Sequence, residues 1–258
     1  MHRVPVFALA AVTALTLATG CDSGQPETGG TPSAGPAPSS AAPSSPATPS
    51  APTAPPSTAP VRKLRIGAKG ADVLALQHRL TELGYWNGTA DGRFGATTQQ
   101  AVYALQKAAG LRRDGVVGPR TRQALDRGVA AKARSTSGRV VEIDLRRQLL
   151  MLVDDGRITQ VFNTSTGSNE YYQQKGETFR ADTPRGKFRV SRQIDGWRNA
   201  PLGLLWRPKY FNGGIAVHGA TSVPPYAASH GCARVSIAAM NWLWKNDALP
   251  LKTRVWVY

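Results

Sequence analysis

At residues 229–234 the chain reads SHGCAR, and this stretch holds Cys232, one of only two cysteines among 258 residues. His230 lies two residues before the thiol, Arg234 lies two residues after it, and His218 lies a short way upstream. A thiol becomes a useful nucleophile where a neighbouring cation or general base favours the thiolate. The stretch therefore predicts a cysteine nucleophile served by a histidine, with no requirement for a metal or an organic cofactor.

Two other interpretations of the stretch stay open at this point. A lone cysteine is often a small buried apolar side chain. Two observations argue against that interpretation. Gly231, beside the cysteine, allows a substrate to approach the backbone closely. A lone thiol is also a liability in an oxidising compartment. Alternatively, His218, His230 and Cys232 could be zinc ligands, although their spacing matches no usual zinc pattern and no CxxC accompanies it.

Three further motifs lie upstream of SHGCAR: GGIAVHG at 213–219, STG at 165–167 and TPRGKF at 183–188. Together the four motifs resemble the catalytic signature of the L,D-transpeptidases of the YkuD type, over roughly residues 139–258. The resemblance implies a mostly-β YkuD-type sandwich. It also implies acyl transfer on the stem peptides of peptidoglycan.

The same resemblance implies roles for the residues around the thiol. Cys232 would attack the substrate, and His218 is favoured over His230 as the base that removes its proton. His230 is expected to shape the loop and the oxyanion site. Backbone N–H groups near Gly231 and Cys232 would meet the oxyanion, and the carbonyl of Gly219 would orient the imidazole of His218.

Substrate contacts are expected from the neighbourhood of these groups. Arg234 would stabilise the thiolate or bind a stem carboxylate, with a structural ion pair as the alternative. Tyr210 is a candidate contact on the approach to His218, with a core role as the alternative, and Ser229 would brace the loop. The long polar stretch 168–182 is expected to form a lid or substrate flap.

The reaction that the resemblance implies is a two-step acyl transfer. The thiolate attacks the carbonyl of the third residue of a tetrapeptide stem, D-Ala leaves, and a side-chain amine of a second stem takes the acyl group to give a 3-3 cross-link. If water takes the acyl group, the protein is an L,D-carboxypeptidase. A wall-binding anchor with an inactive catalytic fold is the alternative from a different functional class.

Residues 62–128 carry an internal repeat, DGRFGATT at 91–98 and DGVVGPRT at 114–121. Asp-Gly favours a tight turn and the glycine that follows favours a helix start, so three short helices are predicted. The segment resembles a PGBD-type peptidoglycan-binding domain. Tyr85 and Trp86 are predicted as exposed aromatic contacts for sugar or stem peptide, with packing as the alternative for Tyr85.

A short basic linker at 129–138 precedes a β-rich region at 139–258. Its apolar runs and turn residues predict a mostly-β domain with one clear helix at 236–246. Strands are predicted at 140–144, 149–153, 158–162, 187–194, 214–218 and 254–258, with a hairpin turn at 154–156.

The N-terminal residues 1–21 predict an export signal. Residues 17–21 resemble a bacterial lipobox that would make Cys21 a lipidated N-terminus, with ordinary secretion as the alternative. Residues 22–61 are rich in Pro, Ala, Ser and Thr and predict a disordered linker, because they cannot bury a core. The expected location is thus a membrane-anchored lipoprotein facing the cell wall, or secretion into the wall.

The chain is strongly basic, with 32 Lys and Arg against 16 Asp and Glu. A basic surface attracts polyanions, and an exported protein is not expected to meet nucleic acid. Peptidoglycan stem peptides and glycan are the expected partners, anionic wall polymers are a further one, and the membrane is reached only through the lipid anchor. Simple solubility is the alternative explanation of the charge.

Overall fold

The structure, a computed structural model, describes residues 62–258. The predicted export signal, Cys21 and the linker at 22–61 lie outside the described residues. Sixteen elements follow in chain order: α1 Ala71–Glu82, α2 Ala96–Ala108, α3 Pro119–Asp126, β1 Val140–Asp144, β2 Leu149–Asp154, β3 Arg157–Asn163, β4 Tyr171–Gln174, β5 Glu177–Arg180, β6 Gly186–Arg189, β7 Arg192–Gln193, β8 Trp197–Ala200, β9 Gly203–Asn212, β10 Ile215–Ala220, β11 Ala233–Ser236, α4 Ile237–Lys245 and β12 Arg254–Val257.

The three predicted helices form one small module, and its sequence repeat corresponds to a repeated hydrogen-bond arrangement. The amide of Gln77 in α1 donates to the carboxylate of Asp91 over 2.9 Å, and that of Gln106 in α2 donates to Asp114 over 2.8 Å. Each glutamine carbonyl also accepts the N–H of the glycine that follows the aspartate. Buried glutamines thus fix both Asp-Gly turns, because a buried polar group must find partners.

The β-rich region consists of two five-stranded sheets and a separate hairpin. The first sheet has the order β3-β2-β1-β12-β6, and the second has the order β11-β10-β9-β7 with β8 also paired to β9. A common core between them includes Ile143, Val217 and Val255, and α4 contributes Met240 and Leu243. The predicted fold class, a helical module followed by a mostly-β YkuD-type sandwich, is confirmed.

The helical module packs directly on the outer face of the first sheet. Leu149, Met151 and Val153 belong to one buried cluster with the apolar residues of α1, α2 and α3. Backbone pairing continues across the junction, since Trp86 donates to the carbonyl of Val161 over 3.0 Å. The module and the sheet therefore share one apolar core.

Several elements differ from the predicted ones. The strand predicted at 187–194 is two strands, β6 in the first sheet and β7 in the second, with Val190 buried where the chain crosses between them. The stretch 168–182 contains the β4–β5 hairpin, and strands β8, β9 and β11 were not predicted. Most of these elements are short or largely exposed, so their sequences lack the apolar alternation that identifies a strand. Strand β9 is longer, but Pro208 interrupts its pattern.

Candidate active site

Parallel pairing of β10 and β11 places the predicted catalytic residues side by side. In this register His218 lies opposite Arg234, and Val217 lies opposite Ala233. Cys232 immediately precedes β11, so it lies beside the strand that carries His218. Parallel partners come from separate parts of the chain. The pairing therefore joins two motifs that are apart in sequence.

The thiol of Cys232 is partly buried at this junction. The backbone N–H of Ala216 donates to its Sγ over 3.4 Å, and the carbonyl of Gly214 lies 3.9 Å from the same atom. Burial raises the pKa of the Cys232 thiol, and the Ala216 N–H and the charge of Arg234 only partly oppose that shift. The resting thiol is therefore protonated at neutral pH, so attack requires a base.

His218 is buried, and its ring orientation is set by one backbone contact. Nδ1 lies 2.9 Å from the carbonyl oxygen of Gly219. Because a carbonyl only accepts, Nδ1 carries the proton and Nε2 has the lone pair. Burial lowers the pKa of His218 to about 4, with a smaller opposing contribution from the Gly219 carbonyl.

A side chain at position 219 would clash with packed neighbours. A Cβ at this position would lie 2.8 Å from Cδ1 of Trp206 and 3.0 Å from Cβ of Met240. Real Cβ atoms essentially never make contacts under 3.0 Å, so one of these packed side chains would have to move. Because glycine has no side chain, the backbone at position 219 can pack closely against Trp206 and Met240 with its carbonyl beside the imidazole.

The loop that carries the thiol is braced from within. Oγ of Ser229 donates to the carbonyl of Cys232 over 2.6 Å and accepts from the N–H of Gly231 over 3.0 Å. Oγ1 of Thr183 donates to the Gly231 carbonyl over 2.5 Å. The Gly231 N–H is therefore already engaged, which corrects its expected role as an oxyanion donor.

His230 lines the same cavity as Cys232 and also contacts the β4–β5 hairpin. Its ring meets Tyr172 edge-on, with 4.7 Å between the ring centroids. The stretch 168–182 therefore forms a hairpin that contacts the catalytic motif. Within residues 62–258, no group of three His, Cys, Asp or Glu side chains is placed to hold a metal ion.

A cavity of about 650 Å³ opens over the thiol. Its lining brings together six of the predicted site residues: His218, Ser229, His230, Gly231, Cys232 and Arg234. Its lining also includes four residues of the stretch 168–182, for which a lid or substrate flap was predicted: Tyr172, Gln174, Arg180 and Asp182. Sequence reasoning missed the lining residues of the β8–β9 hairpin, among them Trp197, Leu202 and Leu204. The dipeptide Lys175-Gly176 is the sequence signal that could have identified the first hairpin, because a glycine favours a two-residue turn. In the structure both residues have positive φ.

Three predicted substrate contacts have buried side chains, and for Tyr85 and Tyr210 this is the packing role that was the alternative. Tyr85 is fully buried, and its hydroxyl donates to the Val129 carbonyl over 3.0 Å. Trp86 is 9 % exposed and packs on Phe162 at the junction between module and sheet. Tyr210 is buried outside the cavity lining, with the guanidinium of Arg192 over its ring.

The helical module also holds the loop that leads into the catalytic stretch. Gln100 in α2 donates to the carbonyl of Val223 over 3.2 Å, and Arg113 donates to that of Pro225 over 3.0 Å. Residues 221 and 222 of this loop line the cavity. The module thus supports one wall of the catalytic cavity.

Comparison with protein families gives two adjacent matches. Residues 69–125 match a peptidoglycan binding domain model, and residues 138–257 match the L,D-transpeptidase catalytic domain model, YkuD. Among residues 62–258, no helix combines the length and the apolar character needed to cross a membrane.

Curated relatives match over shorter stretches. The chain is 33 % identical over 115 residues to a probable N-acetylmuramoyl-L-alanine amidase of Bacillus licheniformis, covering 44 % of this chain and 32 % of the relative. It is 45 % identical over 56 residues to the N-acetylmuramoyl-L-alanine amidase CwlM of Mycobacterium tuberculosis, covering 22 % of this chain and 14 % of the relative. The matched part thus spans less than a third of either relative.

A solved structure gives a much broader match. The L,D-transpeptidase of Xylanimonas cellulosilytica (residues 123–326) is 55 % identical, with a TM-score of 0.74, over 80 % of this chain and 100 % of that one. The identity and the coverage extend beyond the catalytic motifs to most of the described fold. The chain therefore belongs to the YkuD-type L,D-transpeptidase family.

Proposed function

We propose that the protein is an exported cell-wall L,D-transpeptidase that forms 3-3 cross-links through a Cys232 thioester. The observation that carries this proposal is that the partly buried thiol of Cys232, with its raised pKa, and the buried imidazole of His218, with its lowered pKa, line one cavity. Peptidoglycan is the supported partner, since the two matched family models both concern it. Anionic wall polymers, and membrane attachment through a lipid on Cys21, belong to the same proposal.

In the first half-reaction, Nε2 of His218 takes the thiol proton as Sγ of Cys232 bonds to the carbonyl carbon of the third stem residue. The N–H of Cys232 is the donor that the loop offers to the oxyanion. When the tetrahedral intermediate collapses, the C–N bond to D-Ala breaks, and the proton on His218 passes to the departing amine. A thioester remains on Cys232.

In the second half-reaction, the side-chain amine of another stem attacks the thioester carbonyl. His218 accepts a proton from that amine, the C–S bond breaks, and the thiol is regenerated as an amide forms. Arg180 and Arg234 line the cavity and are suited to the carboxylates of the two stems. Asp182 is the only acidic side chain in the lining and is suited to the incoming ammonium.

The proposed reaction is tested by incubating the full chain with a disaccharide-tetrapeptide and analysing both protein and products by mass spectrometry. We expect an acyl adduct on Cys232, loss of D-Ala and a dimeric muropeptide, all absent in Cys232→Ala. Loss of D-Ala without dimers would identify an L,D-carboxypeptidase instead. An absence of adduct and product, with a carbapenem also failing to label Cys232, would indicate an inactive wall-binding anchor.

The pH dependence of acylation should show a plateau through neutral pH. The reactive pair is a neutral imidazole with a protonated thiol, and this pair persists from the pKa of His218, about 4, up to the raised pKa of Cys232. Below that range His218 becomes protonated and the rate falls. Initial rates of carbapenem adduct formation measure this directly. A rise of roughly tenfold per pH unit across neutrality would instead indicate attack by free thiolate without a base.

A further inference from the structure

The helical module covers only part of the outer face of the first sheet. It packs on β2 and β3, while β12 and β6 extend beyond it. Side chains alternate between the faces of a strand. Arg254 of β12 and Lys187 and Arg189 of β6 therefore share the uncovered part of this outer face, and Trp256, which packs against the cluster of the helical module, lies at its border. The face changes there from apolar to basic.

The register places like charges directly opposite each other on this face. Arg254 lies opposite Arg189, and Trp256 lies opposite Lys187, whose ammonium is 5.0 Å from the indole ring centroid. Like charges at directly opposite positions destabilise a sheet. The pair of arginines therefore carries an electrostatic cost that a bound anion would relieve.

No carboxylate in the described part of the chain compensates for these cations. The ion pairs found within residues 62–258 involve Arg79, Arg147 and Arg207. Glu142 lies on the same outer face but is fully buried, and it accepts hydrogen bonds from the backbone of Arg134 and from Ser135. Its charge is therefore used within the protein.

Contacts with main-chain carbonyls orient the two arginines. Arg254 donates to the carbonyls of Ser137 and Arg139, and Arg189 donates to that of Lys252 over 3.0 Å. A guanidinium has five N–H donors, so each arginine keeps donors for a ligand. Restricting these long side chains in advance reduces the entropy lost on binding.

Together these residues line a groove of about 700 Å³ that shares no residue with the catalytic cavity. Its cations are Arg134, Lys187, Arg189 and Arg254; its other residues are hydroxyl, aliphatic or aromatic, and none of them is acidic. Several cations along one open groove suit a ligand with regularly repeated negative charges, and arginine forks match phosphate oxygens in pairs. The indole ring of Trp256, on the same face as these cations, offers apolar surface to the carbon part of such a chain.

We propose that this groove binds a phosphodiester polymer, the class of anionic wall polymer built from repeating polyol phosphate units. The proposal rests on the proposed partner class, but it is independent of the proposed reaction because the groove and the cavity are separate. Binding there would hold the enzyme on the wall while leaving the thiol accessible.

The test is binding of a synthetic poly(glycerol phosphate) to the full chain, to Arg189→Glu and to Arg93→Glu. Arg93 is exposed on the helical module and lies outside the groove lining, so its reversal changes the net charge equally. We expect affinity to fall on the order of tenfold in Arg189→Glu and the salt dependence to weaken, whereas Arg93→Glu changes little. The introduced carboxylate would face Arg254, so thermal stability should not fall.

Three results would overturn the proposal. Equal losses in both variants would mean that net charge alone attracts the polymer, and undiminished binding in Arg189→Glu would remove the groove as the site. Poly-glutamate of matched charge binding as tightly as poly(glycerol phosphate) would refute the phosphate assignment. Carbapenem labelling of Cys232, measured on the same samples, should be unchanged in both variants, so a failure of this proposal is distinguishable from a failure of the proposed reaction.

Discussion

Replacement of His218 with glutamine should slow the acylation of Cys232 by roughly 10²- to 10⁴-fold, the usual contribution of a positioned general base. The pKa of the buried thiol is raised, so little thiolate exists at neutral pH unless a base removes the proton. Glutamine is of similar size, but its amide has no basic nitrogen that could take the thiol proton. The loss would therefore report the missing base rather than a collapsed pocket.

The measurement is the rate of carbapenem adduct formation, followed by intact-mass spectrometry across a range of pH. In His218→Gln the neutral plateau should be replaced by a rise of roughly tenfold per pH unit, because attack then depends on the thiolate fraction alone. His230→Gln is the matched control and should keep the plateau and most of the rate, since that ring contacts Tyr172. The reverse pattern would assign the base to His230.

Replacement of Lys107 with methionine should lower the free energy of unfolding by on the order of 3 kcal/mol, because it leaves buried acceptors without a donor. The ammonium of Lys107 is 2 % exposed and donates to the carbonyls of Gln148 (2.8 Å) and Thr164 (3.0 Å) and to the side chain of Asn163. Its three N–H groups thus meet three acceptors. Burial lowers the pKa of Lys107 well below its usual value.

The same substitution should also slow acylation, since the acceptors of Lys107 support the active site. Oγ1 of Thr164 donates to the carbonyl of Arg234 over 2.8 Å, and Asn163 donates to that of Val223 over 3.1 Å. Urea unfolding and carbapenem labelling of the native protein measure the two effects. Lys132→Met, at an exposed position, is the control and should change stability by less than about 0.5 kcal/mol. Equal stability of both variants would show that the buried contacts contribute nothing.

Local patterns in the sequence determined much of the architecture. The helix periodicity and the Asp-Gly repeats predicted three helices, and the apolar runs predicted β1, β2, β3, β10, β12 and α4 close to their observed bounds. The four motifs led to the family that the comparisons confirm. These features depend on residues close in the chain, whose spacing alone sets which face is apolar.

Other features depended on which surfaces meet, and sequence reasoning missed them or assigned them wrongly. Tyr85 and Trp86 read as exposed aromatics, yet they are buried because the first sheet packs against the helical module. The β4–β5 hairpin packs Tyr172 against His230, although its strands carry no apolar alternation.

By itself, then, the sequence determined the family motifs, the two kinds of module and the basic charge of this protein. Only the tertiary structure decided that the imidazole of His218 is neutral, that Lys107 joins the helical module to the catalytic sheet, and that Arg189 faces Arg254. The physical reason is that burial and charge–charge interaction depend on partners distant in the chain. Such partners are set by sheet register and by the packing of one module on another.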